Sequence, residues 1–371
     1  MPRPASRFAQ LLLGLALAGC SNASPTGPVS SGPSATATPS TAPETTEPGA
    51  TTAPVPSVAT PAARTMLFDT DVAPDDLVAL AFLLSAPGVD LVAITVSGTG
   101  EAHCPDGVEV VLRVLERLSA PDIPVACGRE TPLAGSHAFP EVWRAGVDQG
   151  SQLDLPPTDR IAADATAAEL IARLAAEDPD LVILATGPLT NLADALGAYP
   201  QLAEQLQSVY VMGGALHVPG NLVCCGAPED NDVAEWNIYV DPRAAQVVVD
   251  IGLRPFFVSL DGTNQVPLTR EFATRAMERS DSPAAALVAE LFDANPFMTD
   301  GMSFLWDPLA AELAAGYPVG AFTPAAIDIE VTEGPESGFT RPTSGEPNIE
   351  YVTTVDPRAA EATLLLVLRG G

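Results

Sequence analysis

Hydrophobic residues follow two alternating patterns along the chain beyond residue 64. Short apolar runs such as TMLFDTD, VDLVAITVSGTG, IPVACG, DLVILATG, SVYVMGGAL and RPFFVSL are typical of buried strands. Between them, segments such as DDLVALAFLLSA, GVEVVLRVLERLSA, DATAAELIARLAAE, LTNLADALGAYP and DPRAAQVVVDIG repeat apolar residues at helical spacing. Strands that are apolar on both faces and alternate with helices predict an α/β fold, with an open, mostly parallel twisted sheet and helices on both faces.

The first 63 residues do not follow this pattern. Residues 1–20 carry two arginines ahead of an apolar run that is too short to cross a bilayer as a mature helix, which predicts an export signal. Residues 21–63 are rich in Ser, Thr, Pro and Ala, so they bury too little apolar surface to offset the entropy of ordering. We therefore expect a disordered tether over 21–63 and one α/β domain over 64–371.

The export signal ends in Leu17-Ala18-Gly19-Cys20, which resembles a bacterial lipobox. The resemblance implies that Cys20 is lipidated and becomes the new N-terminus. The protein is then exported and anchored by acyl chains to the outer face of the bacterial cytoplasmic membrane. An ordinary signal peptide that happens to contain a cysteine is the alternative interpretation.

The charge and cysteine content restrict the partners and the metals. Formal net charge is −30, and all 17 basic residues are arginine, which argues against nucleic acid as a partner. Beyond the tether the chain has Cys104, Cys127, Cys224 and Cys225. Export permits disulfides, and four cysteines allow three pairings that the sequence does not separate, although a bond between adjacent cysteines would be strained. Zinc binding by these thiols is disfavoured because the CxxC spacing is absent.

Four aspartates crowd the stretch LFDTDVAPDD behind the first predicted strand. Asp69 and Asp71 are two residues apart on that strand, so both face the same side and repel unless a positive charge lies between them. With no lysine in the chain, a bound cation is the simplest relief, and an all-oxygen site favours calcium or magnesium. Asp75 and Asp76 have a simpler alternative role, because acidic residues stabilise a helix N-terminus by about 1 kcal/mol.

Five segments resemble the inosine-uridine-preferring nucleoside hydrolases in order and spacing: DTDVAPDD, LATGPLTNLADAL, VMGGALHVPGN, AEWNIYVDPRAA and WDPLAAELAAGYP. The resemblance extends from about Met66 to the C-terminus. It implies a Rossmann-like nucleoside hydrolase fold with calcium at the strand ends. It also implies hydrolysis of the N-glycosidic bond of a ribonucleoside to free base and ribose, and a homo-dimer or homo-tetramer.

The resemblance also implies a metal site. By motif match, Asp71 ligates calcium and acts as general base, and Asp76 is a bidentate ligand. Thr186 contributes its backbone carbonyl, and Asp307 completes the protein ligands. A carboxylate within reach of a water that a cation has made more acidic takes its proton during attack.

The implied substrate contacts lie on the same strand ends. Asp75 and Asn237 bind the 2′- and 3′-hydroxyls of ribose, and Asn221 and Glu235 meet the 5′-hydroxyl. Many family members have His-Asp where this chain has Trp306-Asp307, and the histidine is their usual acid for the leaving base. The purine-preferring branch also has tryptophan there, so the resemblance favours purine ribosides and a base-stacking role for Trp306. A core aromatic beside the site is the alternative interpretation of Trp306.

The chain departs from the family pattern at three further places. One is the stretch from Asn221 to Glu235, which is longer than the usual connection and contains Cys224-Cys225. Val72-Ala73 replaces the usual Pro-Gly, and because Ala73 does not adopt a positive φ cheaply, we expect a different turn. Where many members have an asparagine near the ribose, this chain offers Thr99, Glu101 or His103.

Two other functions compete with hydrolysis. A lipoprotein of this fold could bind nucleosides in a calcium-dependent manner without cleaving them, as a receptor for a transporter. Asp69-Thr-Asp71 after an apolar strand also resembles haloacid-dehalogenase-type phosphatases faintly. Those enzymes generally need a lysine, which this chain lacks, and the other four segments would have no explanation.

Overall fold

A computed structural model describes residues 61–222, 230–277 and 282–370. The predicted export signal, Cys20, Cys224 and Cys225 lie outside the described residues, as does the predicted tether up to residue 60. These predictions therefore stay predictions.

The described residues form an eight-stranded sheet in which seven neighbouring strands run parallel, as predicted. In spatial order its strands are β3 (Val125–Cys127), β2 (Val89–Val96), β1 (Arg64–Thr70), β4 (Val182–Ala185), β5 (Ser208–Met212), β6 (Phe256–Val258), β12 (Ile349–Val355) and β9 (Gly320–Ala325). The last strand, β9, is antiparallel to β12 and closes one edge. Neither β9 nor β12 was predicted from the sequence.

Helices cover both faces of this sheet. In chain order they are α1 (Pro74–Ser85), α2 (Cys104–Arg117), α3 (Glu141–Asp148), α4 (Ala167–Glu177), α5 (Thr190–Ala198), α6 (Leu202–Gln205), α7 (Trp236–Val240), α8 (Pro242–Asp250), α9 (Leu260–Thr263), α10 (Arg270–Met277), α11 (Pro283–Ala294), α12 (Trp306–Ala314) and α13 (Pro357–Leu368). On β1, Met66 and Phe68 pack into the core beneath α1, α11, α12 and α13, and Leu67 packs into the opposite core with α4, α5 and α8. This alternation explains why the consecutive residues Met66, Leu67 and Phe68 are all apolar.

Two short antiparallel pairs lie outside the main sheet, and neither was predicted. β7 (Pro267–Thr269) pairs with β8 (Asp300–Phe304), and β10 (Ile327–Ile329) pairs with β11 (Thr340–Pro342). A 3₁₀ turn, Pro296–Thr299, leads into β8. The segment from α11 to β8 forms part of the wall of a cavity.

A disulfide joins Cys104, the first residue of α2, to Cys127 at the end of β3, with the two Cα atoms 5.6 Å apart. The sequence left this bond open, and the remaining two cysteines lie outside the described residues. In the part of the chain that the structure describes, no helix has the length and apolar character needed to cross a bilayer.

Glu312 is a buried acidic residue that is not one of the predicted site residues, although it lies on the same helix as Trp306 and Asp307. Glu312 on α12 is fully buried, and within the described residues its carboxyl oxygens make no hydrogen bond of standard geometry. Burial raises the pKa of Glu312 well above its usual value, and the nearby backbone N–H of Leu364 only partly opposes that shift. A buried carboxyl without a strong partner destabilises the fold when it ionises.

Candidate active site

A cavity of about 470 Å³ lies beyond the carboxyl ends of the central parallel strands. Open α/β sheets bind ligands at this edge because the strand ends and the following loops converge there. The structure brings all nine residues predicted for catalysis, metal and substrate to its wall: Asp71, Asp75, Asp76, Thr186, Asn221, Glu235, Asn237, Trp306 and Asp307.

The end of β1 separates the first two aspartates. Asp69, still within the strand, is fully buried, and its Oδ1 accepts hydrogen bonds from Thr95 Oγ1 (2.6 Å) and Asn191 Nδ2 (2.7 Å). Burial raises the pKa of Asp69 to about 7. Asp71 lies past the end of β1 and lines the cavity. The expectation that both flank one cation on the same side of the strand was wrong, because the strand ends at Thr70 and Asp69 has its own partners.

The turn after Asp71 is made by Val72 rather than by Ala73. Val72 has φ +67°, and Ala73 has φ −56°. The left-handed region costs a residue with a Cβ roughly 1–2 kcal/mol, and β-branched residues rarely occupy it. Val72 N–H donates to Thr70 Oγ1 at 3.0 Å, which helps to hold the turn. This strained turn starts α1 at Pro74 and so places the first turn of α1, with Asp75 and Asp76, at the cavity.

Asp76 divides its two oxygens between the protein and the cavity. Its Oδ1 accepts hydrogen bonds from Thr70 Oγ1 and from Thr186 Oγ1, the latter at 2.6 Å. Its Oδ2 is buried and has no hydrogen-bond partner among the described residues. A buried carboxylate oxygen without a partner is costly, and a cation relieves that cost.

Asp76 is one of three carboxylates that lie close together at the cavity. Asp75, Asp76 and Asp307 each offer an oxygen within 4.8 Å of the others, a spacing that could hold a metal ion. The pKa of Asp75 is raised to about 7, first by burial and then by the charge of Asp76. The pKa of Asp307 is also raised well above its usual value, by burial and by the charges of Asp75 and Asp76. The donor set consists of oxygens alone, so the residues present fit a hard cation such as calcium or magnesium.

Asp71 lies in a slot between two glycines. A Cβ added to Gly100 would lie 2.1 Å from Asp71 Cβ, and one added to Gly187 would lie 2.7 Å from it. Glu101 N–H donates to Asp71 Oδ2 at 3.1 Å. The pKa of Asp71 is raised well above its usual value by burial, then by the charges of Asp76 and Glu101. Neither glycine was identified from the sequence, because a single glycine does not indicate that another side chain packs directly against its Cα.

The predicted sugar-binding residues form a hydrogen-bonded group between β4 and α7. Asn237 Nδ2 donates to the carbonyl of Thr186 at 2.7 Å and to that of Met212 at 3.2 Å. Glu235 caps α7 by accepting the N–H groups of Asn237 and Ile238, and it accepts the N–H of Gly214 as well. Burial raises the pKa of Glu235 to about 7 despite these hydrogen bonds. Asn221 Oδ1 accepts the N–H of Trp236 at 3.0 Å.

We call Asp71, Asp75, Asp76, Thr186 and Asp307 the carboxylate wall of the cavity. A second set, which we call the aromatic wall, consists of Phe139, Trp143, Trp236, Phe304 and Trp306. The ring centroids of Phe139 and Trp236 are 4.9 Å apart, and those of Phe304 and Trp306 are 5.9 Å apart. Of these five aromatic residues, only Trp306 was identified from the sequence.

Exposed apolar residues also line the cavity. Val142 on α3, Phe297 in the 3₁₀ turn and Met302 on β8 are exposed and belong to the cavity lining. They come from segments far apart in the sequence. Apolar surface at the lining of a largely preformed cavity is typical of a small-molecule site.

The three residues considered in place of the family's asparagine occupy different positions. Thr99 is buried and hydrogen-bonds with Ser97 and Thr190. His103 is tied to Asp148, with its Nδ1 2.7 Å from Asp148 Oδ2, and it does not belong to the cavity lining. Glu101 lines the cavity, and burial followed by the charges of Asp75 and Asp76 raises its pKa to about 8.

Helix α3 is fastened to the loop that carries Glu101. Arg144, which is buried, donates from its guanidinium to the carbonyl of Gly98 at 2.7 Å and to that of Ala102 at 3.1 Å. The contact of His103 with Asp148 provides a second tie at the other end of the same helix. Residues of α3 line the cavity, so these contacts connect the α3 side of the cavity to the loop that hydrogen-bonds Asp71.

Comparison with known proteins points to one family. Residues 66–362 match the sequence profile of the inosine-uridine preferring nucleoside hydrolases. The chain is 36% identical over 235 residues to the pyrimidine-specific ribonucleoside hydrolase RihA of Salmonella newport, an alignment that covers 62% of this chain and 71% of the relative.

Solved structures of the same fold extend the comparison. A plant nucleoside hydrolase, PpNRh1, superposes with a TM-score of 0.73 at 26% identity, covering 83% of this chain and 99% of that one. An inosine-guanosine nucleoside hydrolase superposes with a TM-score of 0.71 at 25% identity, covering 82% of this chain and 98% of that one. Both likenesses extend over nearly the whole described α/β domain.

Proposed function

The chain belongs to the inosine-uridine preferring nucleoside hydrolase family and is an N-ribosyl hydrolase, and from that premise we propose that it hydrolyses purine ribonucleosides in a calcium-dependent reaction. The observation that carries the proposal is the single cavity in which a carboxylate wall and an aromatic wall meet. The first suits a cation and a sugar with several hydroxyls, and the second suits a flat base.

Calcium is proposed from the donor set. By match to the family motifs, Asp71, Asp76, Asp307 and the carbonyl of Thr186 would hold the ion. The unpartnered Asp76 Oδ2 supports this choice, and the spacing of carboxylate oxygens brings Asp75 together with Asp76 and Asp307 as well. When bound, the ion offsets part of the carboxylate charge and makes water a better proton donor. Asn237 orients the carbonyl of Thr186 through its 2.7 Å hydrogen bond.

Residues of the carboxylate wall and the neighbouring residues Asn221, Glu235 and Asn237 activate the water and bind the ribose. Asp71 takes the proton of the attacking water, because its slot between two glycines holds the carboxylate in one position. Asp75 and Asn237 bind the 2′- and 3′-hydroxyls, while Asn221 and Glu235 face the 5′-hydroxyl. Holding three hydroxyls aligns the C1′–N bond for attack. The nearby carboxylates stabilise the positive charge that develops on the ribose ring.

The aromatic wall receives the base. We assign the stacking role to Trp306, whose indole belongs to the cavity lining. Electron-rich indole faces stabilise a base that becomes positively charged by accepting a proton as its bond to ribose breaks. The inosine-guanosine nucleoside hydrolase is a relative named for purine substrates, which supports the purine preference.

A pyrimidine preference is the second candidate. It is supported by the 36% identity to a pyrimidine-specific ribonucleoside hydrolase. The two candidates differ in the size of the base, so the ratio of kcat/KM for purine and pyrimidine ribosides decides between them.

The protein's location and assembly are also proposed. The lipobox-like Leu17-Ala18-Gly19-Cys20 supports an exported lipoprotein on the outer face of the cytoplasmic membrane. Labelling of the full chain with a fatty-acid analogue, lost in Cys20→Ala, tests this proposal. A homo-dimer or homo-tetramer follows by analogy to the family, and light scattering of the domain tests it.

The proposed activity is tested by measuring release of free base from inosine, guanosine, adenosine, uridine and cytidine. The assay uses the full chain with calcium, with a chelator, and with calcium restored. We expect purine release that stops on chelation and recovers with calcium. A melting temperature that rises with calcium in the absence of substrate provides an independent readout of binding. Undiminished activity and an unchanged melting temperature after complete metal removal would falsify calcium dependence.

A further inference from the structure

The disulfide at Cys104 lies directly beside the loop that supports Asp71. This loop, residues 97–103, connects β2 to α2, and we call it the support loop. In it, Glu101 N–H donates to Asp71 Oδ2 at 3.1 Å, and Ala102 N–H donates to the carbonyl of Asp71 at 2.9 Å. The disulfide therefore fastens the chain just after the two hydrogen bonds that hold Asp71.

The first turn of α2 also packs against the strained turn after Asp71. Gly107 lies in this part of α2, and a Cβ added there would lie 2.7 Å from Ala102 Cβ and 3.3 Å from Val72 Cγ2. Contacts this close leave α2 little room to shift without moving its neighbours. The position of α2 therefore affects Asp71 from two sides, through the support loop and through Val72.

The other half of the disulfide lies at the edge of the sheet. β3 has three residues and pairs with β2, and Cys127 at its end forms an isolated bridge to Thr166. The next residue, Gly128, lies against Asn191, because a Cβ added to Gly128 would lie 1.7 Å from Asn191 Oδ1. Asn191 Nδ2 in turn donates to Asp69 on β1. The disulfide thus ties the start of α2 to a strand end that packs against the central sheet.

Noncovalent contacts hold the support loop as well. Arg144 on α3 donates to the carbonyls of Gly98 and Ala102, and Cys104 N–H donates to Glu130 Oε1 at 3.2 Å. These contacts persist when the disulfide opens. We therefore expect the opened chain to remain folded while the support loop becomes looser.

The disulfide is reachable from one side. Cys104 is buried, whereas Cys127 is half-buried, so Cys127 offers an external thiol the easier approach. A dithiol supplies two electrons and two protons, which convert the disulfide into two thiols, and the dithiol itself becomes a disulfide. The reverse reaction with a disulfide oxidant restores the bond.

We propose that the Cys104–Cys127 disulfide is a redox switch that holds the support loop, and with it Asp71, in position in the oxidised chain and releases the loop in the reduced chain. Cys104 and Cys127 are positioning residues, because they act through the loop. The effect on turnover rests on the proposed function, whereas the effect on the loop does not. Disulfides form outside the reducing cytoplasm, so in an exported chain the switch confines full hydrolysis to the outer side of the membrane.

The first experiment measures amide hydrogen exchange in the full chain, oxidised and after reduction with dithiothreitol. We expect exchange in the support loop to become at least about tenfold faster on reduction, while exchange in the central strand β5 stays unchanged. Cys104→Ser/Cys127→Ser supplies the open state without reagent and should show the same pattern. Equal acceleration of the loop and β5 would assign the bond to global stability and overturn the switch, as would unchanged exchange in the loop.

The second experiment measures turnover of inosine by the oxidised and reduced chains. We expect reduction to lower kcat by about three- to tenfold, less than the hundredfold that a misplacement of about 1 Å causes. KM should change by less than about twofold, because the sugar-binding residues Glu235 and Asn237 are held by the start of α7. Reoxidation should restore kcat. A change in KM alone overturns the positioning role.

Matched variants separate the switch from other effects of the reagent. Cys104→Ser/Cys127→Ser should have a low kcat that dithiothreitol does not change. Cys224→Ser/Cys225→Ser should keep the full response, and a lost response there would assign the switch to other cysteines. Leu202→Ala truncates a fully buried side chain on α6 and lowers the melting temperature without changing the support loop. A loss of kcat in Leu202→Ala equal to that on reduction would assign the effect to stability and overturn the switch.

The two experiments together distinguish this inference from the proposed function. Faster exchange in the support loop without cleavage of any riboside in either redox state supports the switch and overturns hydrolysis. Cleavage of inosine at the same rate in both states overturns the switch and leaves the proposed function intact.

Discussion

The two walls of the cavity are built in different ways. The carboxylate wall comes from strand ends and the first turns of helices α1 and α12, and the protein fixes its side chains by specific hydrogen bonds, as for Asp76 with Thr70 and Thr186. The aromatic wall comes from α3, α7, β8, the first residue of α12 and the segment before α3, and ring contacts hold it together. Under the proposed function, the chemistry that depends on position within fractions of an ångström belongs to the carboxylate wall, and ligand selection belongs to the aromatic wall.

This comparison predicts that the largest loss follows from a change to the carboxylate wall. Asp71→Asn removes the proton acceptor while preserving shape, so we expect kcat to fall by about 10²–10⁴-fold. Steady-state kinetics with inosine measures the loss, and the melting temperature and circular dichroism verify the fold. A variant that retains more than a tenth of the wild-type kcat would assign the proton acceptor to another group.

A change to the aromatic wall should act on the choice of base. Trp306→Ala removes the stacking surface, which is worth about 1–3 kcal/mol, so we expect kcat/KM for purine ribosides to fall by about 5- to 150-fold. Trp306→Phe keeps an aromatic face and should restore part of the loss. Pyrimidine ribosides serve as the internal comparison, and an equal loss for all bases would contradict a stacking role.

The tie between the walls offers a third test. Arg144→Gln weakens the contact of α3 with the carbonyls of Gly98 and Ala102, on either side of the residue that hydrogen-bonds Asp71. We expect kcat to fall roughly tenfold, less than the hundredfold that a misplacement of about 1 Å causes. Arg144→Lys should recover part of it. A change in KM alone would show that α3 shapes only the binding surface.

The smallest effect on activity is expected at a buried carboxyl that belongs to neither wall. Replacing Glu312 with Leu removes a buried acid, so we expect the free energy of unfolding to rise by about 1–3 kcal/mol with kcat nearly unchanged. Because burial raises the folded-state pKa of Glu312, its stability contribution is full below the ordinary value of 4.5 and is lost as pH rises through the folded-state pKa. The gain in Glu312→Leu should therefore be larger at pH 8 than at pH 4. Urea unfolding at both pH values measures it, and a pH-independent gain would contradict this origin.

The sequence predicted the carboxylate wall far better than the aromatic wall. Apolar strands ending in polar residues located Asp71 and Thr186, since parallel strands bring their carboxyl ends to one edge of the sheet. Phe139, Trp143 and Phe304 have no such periodic signal, and their meeting depends on how α3 and β8 pack. The edge strand β9 and its neighbour β12 were missed for a similar reason, because only tertiary pairing distinguishes them from other short segments.

The slot around Asp71 also affects how a mutational scan of this protein would be interpreted. Gly100 and Gly187 carry no reactive group, yet any side chain at either position would collide with Asp71. A screen that records activity alone would therefore rank these two glycines beside the acidic residues as intolerant positions. Paired measurements of protein abundance and turnover would show the cause at the two glycines. Substitutions of Gly100 or Gly187 should yield folded protein in which Asp71 is no longer aligned to accept a proton.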